Sequence, residues 1–161
     1  MKKFIGIFIL IAISLNLSAQ TSKVYDPNAN AQEAIEKAVK QAKNEGKHIF
    51  LQIGGNWCPW CIKFHRFVDS NAEIKNFVDA NYVVVKVNYS KENKNLEVLK
   101  SLDYPQRFGF PVFVVLDENG HRIHTQNSAY LEEDGSYSPK KVLLFYKQWS
   151  PEALDPANYG D

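Results

Sequence analysis

The feature that most constrains this chain is a cysteine pair placed between a short apolar run and a predicted helix. Residues 48–53 are mostly apolar and end at two glycines, 54–55, where the chain can turn sharply. The motif WCPWC follows at residues 57–61 and holds both cysteines of the chain. Pro59 suits the first turn of a helix, and apolar residues continue behind it at helical spacing. A strand, a glycine turn and a helix that begins at the cysteines are therefore predicted.

Periodicity in the rest of the chain predicts the element order α, β, α, β, α, β, β, α. Apolar positions between residues 31 and 42 predict the first helix, with asparagines ahead of it as caps and Gly46 behind it as a stop. A stripe at residues 74–78 continues or restarts the helix of the motif. The other predicted elements are strands at 82–87, 112–116 and 121–125, a turn at 117–120, a short helix at 96–103 that Tyr104-Pro105 breaks, and a last helix at 138–149.

The first 19 residues have the pattern of a cleaved secretory signal peptide. Lys2 and Lys3 precede an apolar run at residues 4–15, and the small residue Ala19 marks the predicted cut. A membrane-spanning helix is the alternative, but the run is shorter than the ~20 residues that a bilayer core requires. We therefore expect a bacterial protein of the periplasm or cell exterior, without stable membrane insertion after cleavage.

The remaining 142 of the 161 residues are enough for one domain, predicted at 20–150, with a surface tail at 151–161. Removal of two lysines with the signal lowers the formal charge from +1 to −1. A near-neutral chain without a basic stripe argues against nucleic acid as a partner. Because 45% of the residues are hydrophobic, the chain can form a core without a disulfide framework, and its two cysteines are free for chemistry.

Two cysteines separated by two residues at the start of a helix have unequal chemistry. The sulfur of Cys58 would face the unpaired backbone N–H groups and the positive end of the helix dipole, which stabilise a thiolate. A lowered pKa makes Cys58 the nucleophile, whereas Cys61, one turn further in, resolves the mixed disulfide. The predicted redox centre is the Cys58–Cys61 disulfide itself, with no organic cofactor and no metal.

A strand, a WCxxC motif that opens a helix, a valine-rich strand, and a proline just before the next strand together resemble the thioredoxin superfamily. The resemblance covers roughly residues 30–150 and is strongest for secreted bacterial thioredoxin-like proteins. It implies an α/β thioredoxin fold: a central mixed sheet of about four strands flanked by helices, with an N-terminal helix. It also implies an insertion before the last helix, at residues 126–137.

The resemblance assigns further site residues beside the redox pair. Pro111 matches the proline that the family holds cis against the sulfurs, with Phe110 ahead of it, and Lys86 matches a lysine near the active site. Gln52 departs from the buried aspartate of cytosolic thioredoxins and cannot act as a base near neutral pH, so both it and Lys86 are predicted to tune pKa values. Substrate binding is predicted for Trp57, Pro59, Trp60, Phe110 and Pro111.

Three other interpretations of the cysteines are open at this point. A structural disulfide is one, although so short a loop restrains little unfolded-state entropy. A zinc site with His121 and His124 is another, although strand alternation places those histidines on opposite faces. The third is an interaction module with a thioredoxin fold whose thiols are incidental. His65, one helical turn after Cys61, is a candidate to influence its proton or a solvated surface residue.

The sequence therefore predicts a secreted thiol–disulfide oxidoreductase that acts on protein thiols or disulfides. The intervening Pro-Trp differs from the pairs of both reducing thioredoxins and the strong periplasmic oxidant. We expect a reductase or isomerase rather than an oxidase, supplied with electrons by a membrane thiol reductant.

Overall fold

A four-stranded mixed sheet with helices on both faces organises this protein. The computed structural model describes residues 23–160, so the predicted signal peptide lies outside the described residues. The predicted α/β class with a sheet of four strands is confirmed. None of the helices formed by residues 23–160 is long and apolar enough to cross a bilayer.

The helices and strands follow the predicted order, with a small additional ribbon before the last helix. The helices are α1 (Ala31–Glu45), α2 (Pro59–Ser70), α3 (Ala72–Asn81), α4 (Leu96–Ser101) and α5 (Pro139–Gln148). The strands are β1 (His48–Gly54), β2 (Tyr82–Asn88), β3 (Val112–Leu116), β4 (Arg122–Asn127), β5 (Glu132–Glu133) and β6 (Ser136–Tyr137).

Strand β1 is central, and its residues determine what lies on each face of the sheet. The order is β2-β1-β3-β4, with β1 parallel to β2 and antiparallel to β3, and β3 antiparallel to β4. Side chains alternate along a strand. Ile49, Leu51 and Ile53 therefore face α1 and α4, whereas Phe50 faces the helices of the opposite side. Gln52 shares that second face, directly beside Lys86 of β2.

The helix-capping predictions are confirmed around α1. The Asn30 side chain accepts a hydrogen bond from the backbone N–H of Glu33 (3.2 Å), and Gly46 ends the helix in the left-handed conformation with φ of 64°. The stripe at residues 74–78 starts a new helix because Asn71 interrupts the first one and caps α3 through the N–H of Ile74 (3.1 Å).

Two predicted boundaries are wrong, each for a local reason. Helix α4 ends at Ser101 because Asp103 and Tyr104 adopt positive φ angles, and Pro105 then opens a 3-10 turn. Strand β4 begins at Arg122 and extends to Asn127, because the N–H of His121 is engaged by the Asp117 carboxylate (2.8 Å) in the preceding turn.

The insertion and the tail have little regular structure, but they differ in burial. The insertion forms the end of β4, a 3-10 turn at Ser128–Leu131 and the ribbon β5–β6, which places Tyr137 in the core. The tail forms two 3-10 turns, Glu152–Leu154 and Pro156–Asn158, without a buried residue. Residues 151–160 therefore lie at the surface.

The aromatic side of the core depends on Phe50. Its ring contacts those of five other residues: Phe64, Tyr82, Phe113, Phe145 and Tyr146. We expect Phe50→Ala to lower the free energy of unfolding by about 3–5 kcal/mol, because the cavity would be enclosed on every side. Val84→Ala, at a side chain that is 40% exposed on β2, is the control and should cost less than about 1 kcal/mol in the same urea titration. Equal losses in the two variants would contradict this view of the core.

Candidate active site

Cys58 is the residue that caps helix α2. Its backbone is extended, with φ of −100° and ψ of 105°, and its sulfur accepts a hydrogen bond from the N–H of Cys61 (3.2 Å). Pro59 follows at the first helical position, where a missing N–H costs nothing. A side-chain acceptor at this position satisfies one of the free N–H groups of the helix and lies at the positive end of the helix dipole. The site therefore favours negative charge on the Cys58 sulfur.

Cys61 is disulfide-bonded to Cys58 and lies deeper in the protein. It has no solvent-accessible surface, whereas Cys58 keeps a small exposed fraction. Burial in low-dielectric surroundings disfavours a thiolate. In the reduced protein, a thiolate would therefore be stabilised at Cys58 by the helix terminus and disfavoured at Cys61 by burial. The two cysteines thus differ in backbone position and in burial, in the sense that the sequence predicts.

An aromatic rim borders the disulfide. Trp57 is 55% exposed, and its indole N–H donates to the carbonyl of Tyr89 (2.6 Å). Phe110 packs against both rings, with centroid distances of 5.5 Å to Trp57 and 4.6 Å to Tyr89. The Phe110–Pro111 peptide bond is cis, and Phe110 belongs to the apolar surroundings of the two cysteines. Trp57, Phe110 and Pro111, three residues predicted to bind substrate, therefore lie together beside the disulfide.

Trp60 has a different environment from Trp57. It is half-buried, and its ring is edge-on to that of Tyr137, with centroids 5.4 Å apart. The Tyr137 hydroxyl donates to the Trp60 carbonyl (3.3 Å), and the ammonium of Lys63 lies 4.3 Å from the centre of the indole. The insertion thus supports the first turn of α2, which leaves less of Trp60 available to a substrate.

Gln52 and Lys86 form a polar pair behind the disulfide. The amide nitrogen of Gln52 donates to the carbonyl of Cys61 (2.9 Å) and to the hydroxyl of Tyr25 (2.7 Å). The ammonium of Lys86 donates to the amide oxygen of Gln52. Gln52 is fully buried, and every one of these contacts uses a donor or acceptor that an amide provides. The predicted pair is therefore in place, and it reaches the backbone of the inner cysteine.

Lys86 also lines a cavity of about 200 Å³ on the same side of the sheet, together with His65 and Asp69. Burial lowers the pKa of Lys86 to about 8, against a smaller opposing effect of the Asp69 carboxylate. Burial likewise lowers the pKa of His65, and the charge of Lys86 adds to that effect. His65 contacts Asp69 at 3.3 Å. Lys86 thus connects the two places, because the ammonium group that lines this cavity also donates to the amide oxygen of Gln52.

Two residues of the site were not predicted from the sequence. Tyr25 is fully buried against the cysteines, and Asn56 binds its backbone in both directions. The segment before α1 has no periodicity that would indicate a buried position. Asn56, however, stands directly before the WCPWC motif, and this position in the active-site loop could have identified it as a site residue.

The described residues do not bring the cysteines and histidines of the zinc alternative together. His121 is exposed and contacts Asp117 (3.1 Å), whereas His124 stacks on Trp149 with ring centroids 4.1 Å apart. Within residues 23–160, no group of three or more Cys, His, Asp or Glu side chains is arranged to hold a metal ion.

A groove of about 810 Å³ opens beside the aromatic rim. Trp57, Tyr89 and Pro27 contribute to its wall, and the lysines at positions 23, 91 and 94 lie along it. A glycine at position 55 allows the Trp57 ring to lie where it does, since a Cβ on residue 55 would be 2.4 Å from the indole nitrogen.

Comparison with known proteins places this site in a recognised context. The family model described as thioredoxin-like matches residues 30–118. The disulfide bond reductase DsbH of Chlamydia pneumoniae is 28% identical over 102 residues, which are 59% of this chain and 61% of DsbH. The thiol:disulfide interchange protein DsbD of Haemophilus ducreyi is 22% identical over 76% of this chain and 23% of its own length. This chain thus matches less than two thirds of either relative.

Solved structures give the same result for the fold. The disulphide isomerase from Xylella fastidiosa Temecula1 superposes with a TM-score of 0.69 at 25% identity, covering 78% of this chain and 95% of that one. The C-terminal domain of Neisseria meningitidis DsbD, in its oxidised form, superposes with a TM-score of 0.55 at 16% identity over 75% of this chain and 97% of that domain. The second likeness concerns the fold alone.

The lowered pKa of Lys86 predicts a pH dependence of stability. Above pH ~8 the folded protein loses the Lys86 proton, whereas the unfolded chain keeps it up to pH ~10. The unfolded state then binds more protons, so the free energy of unfolding should rise with pH in this window. We expect wild type to gain on the order of 2 kcal/mol relative to Lys86→Met between pH ~8 and pH ~10. Urea titrations of both oxidised proteins measure this difference, and parallel pH profiles would contradict it.

Proposed function

This chain belongs to the thioredoxin-like family, and from that premise we propose that it is a secreted thiol–disulfide oxidoreductase that reduces or isomerises disulfides in protein substrates. The observation that carries the proposal is the position of the disulfide: Cys58 caps helix α2, and Cys61 is buried one turn further on.

Cys58 is the proposed nucleophile of the reduced protein. Its thiolate would accept the same hydrogen bond from the Cys61 N–H that the disulfide sulfur accepts, which would stabilise the negative charge. The thiolate attacks one sulfur of a substrate disulfide, and the other substrate sulfur leaves with the electron pair of the broken bond. The product is a mixed disulfide between Cys58 and the substrate.

Cys61 is the proposed resolving residue. After losing its proton, its sulfur attacks that of Cys58, which forms the Cys58–Cys61 disulfide and releases the second substrate sulfur as a thiolate. The substrate gains two electrons and the protein loses two. Full burial of Cys61 would keep a bulky substrate from reaching it directly, which supports this order of attack.

Protein segments are the proposed substrates, since aromatic side chains and an open groove lie beside Cys58. Trp57 and Phe110 would contact residues that flank a substrate cysteine, and Pro59 is exposed on the same helix turn. The backbone next to Pro111 would pair with an extended peptide. Trp60, which is half-buried against Tyr137 and Lys63, would contribute through the part of its side chain that remains exposed.

Reduction or isomerisation is the proposed direction. The relatives named disulfide bond reductase and disulphide isomerase support it. The signal-like residues 1–19 support a location outside the cytosol, where disulfides persist and thiols need a source of electrons. A membrane thiol reductant is therefore the proposed electron donor, and the name of the DsbD relative, a thiol:disulfide interchange protein, is consistent with such an exchange partner.

Serine variants of the two cysteines test the assigned roles. Cys61→Ser should accumulate covalent complexes with proteins in the periplasm, because Cys58 still attacks and nothing releases it. Cys58→Ser, the matched control, should form almost none. Non-reducing gel electrophoresis after acid quenching measures both. Equal complex formation in the two variants would make the nucleophile assignment wrong.

The reduction potential of the pair tests the direction. We expect a value between about −180 and about −270 mV, the range of isomerases and thioredoxins. Equilibration in glutathione buffers, followed by tryptophan fluorescence from Trp57 and Trp60, measures it. A value near −120 mV, as found for a strong oxidant, would overturn the proposed direction but not the proposed chemistry.

A further inference from the structure

Tyr25 is a fully buried side chain that packs in one cluster with Cys58 and Cys61. Its backbone is fixed by the loop that precedes the cysteine motif. The N–H of Tyr25 donates to the side-chain oxygen of Asn56 (3.1 Å), and the side-chain nitrogen of Asn56 donates to the Tyr25 carbonyl (2.7 Å). Tyr25 is therefore held in a defined position relative to the disulfide.

The hydroxyl oxygen of Tyr25 already accepts one hydrogen bond. The donor is the amide nitrogen of Gln52 (2.7 Å), so the hydroxyl hydrogen points away from that amide. Gly54 provides the space in which it can point toward sulfur. A Cβ on Gly54 would lie 2.4 Å from the Cys61 sulfur and 3.0 Å from the Tyr25 hydroxyl oxygen, so both atoms face the same gap.

We propose that Tyr25 is a catalytic residue of the resolving step, in which its hydroxyl donates a hydrogen bond to the thiolate of Cys61. This inference rests on the proposed function. In the oxidised protein the Cys61 sulfur is neutral, and among the described residues Tyr25 makes no hydrogen bond to it. In the mixed disulfide, Cys61 must become an anion at a buried position, and a fixed O–H donor offsets the lost hydration.

The hydroxyl acts as a donor and not as a base. Burial raises the pKa of Tyr25 well above its ordinary value, so the group stays protonated at neutral pH. Cys61 gives its proton to solvent, attacks the Cys58 sulfur and displaces the substrate thiolate, while Tyr25 keeps its own proton throughout. The titratable groups around this step are Cys58 itself, Lys86 through Gln52, and Tyr137 on the insertion.

Tyr25→Phe separates this role from packing, because it removes only the hydroxyl. With reduced protein and excess Ellman's reagent, the first release of thionitrobenzoate reports attack by Cys58, and the second reports attack by Cys61. We expect Tyr25→Phe to slow the second phase about tenfold at neutral pH and to shift its pH midpoint upward by about one unit. The first phase should be unchanged. Above the raised midpoint the difference should disappear, because both proteins then carry a thiolate at Cys61.

Tyr82→Phe is the matched control, since it removes another buried hydroxyl, one that donates to the Tyr146 carbonyl (2.6 Å) within the aromatic core. It should change neither phase. The proposal is overturned if Tyr25→Phe resolves at the wild-type rate, or if it slows both phases equally at every pH. A wild-type protein that reduces no protein disulfide, yet shows a Tyr25-dependent second phase, would refute the proposed function and leave this inference standing.

Discussion

The hydrogen bond from the N–H of Cys61 to the sulfur of Cys58 is the interaction on which the site depends. It makes the reactive sulfur part of a helix cap, so that the position and charge preference of the sulfur follow from the backbone of α2. That backbone is held from three sides: by the aromatic core around Phe50, by Tyr137 of the insertion and by Gln52 beneath Cys61. A small displacement at any of these contacts would therefore change the geometry of the disulfide.

A polar chain beneath the disulfide gives the buried cysteine an unusual environment. Lys86, Gln52 and Tyr25 are connected in series, and one amide links a cation to a neutral hydroxyl and to the Cys61 carbonyl. A carboxylate at position 52 would accept from Lys86, but it could not donate to Tyr25 or to Cys61. The amide therefore fits a site that orients donors toward the inner sulfur instead of removing its proton directly.

Most of the fold could be predicted because it depends on local patterns. The apolar runs of β1, β2 and β3 and the spacing of α1 and α2 are visible in a short window of sequence. The environment of Trp60 could not be predicted in the same way, because it depends on Tyr137, which is 77 residues away. Tyr25 was missed for a similar reason: it is buried by the active-site loop and lies in no helix or strand. The cysteine motif was thus predictable from local sequence, whereas the long-range contacts that hold it in place were not.

The attachment of Tyr25 to the active-site loop has a practical consequence for protein engineering. If the leader is cut after Ala19, only five residues precede Tyr25, so an affinity tag or fluorescent fusion at the new N-terminus begins close to the redox centre. The 3-10 turns at Glu152–Leu154 and Pro156–Asn158, in contrast, contain no buried residue. A purification handle or surface-immobilisation linker attached beyond these turns would add no chain next to the buried tyrosine.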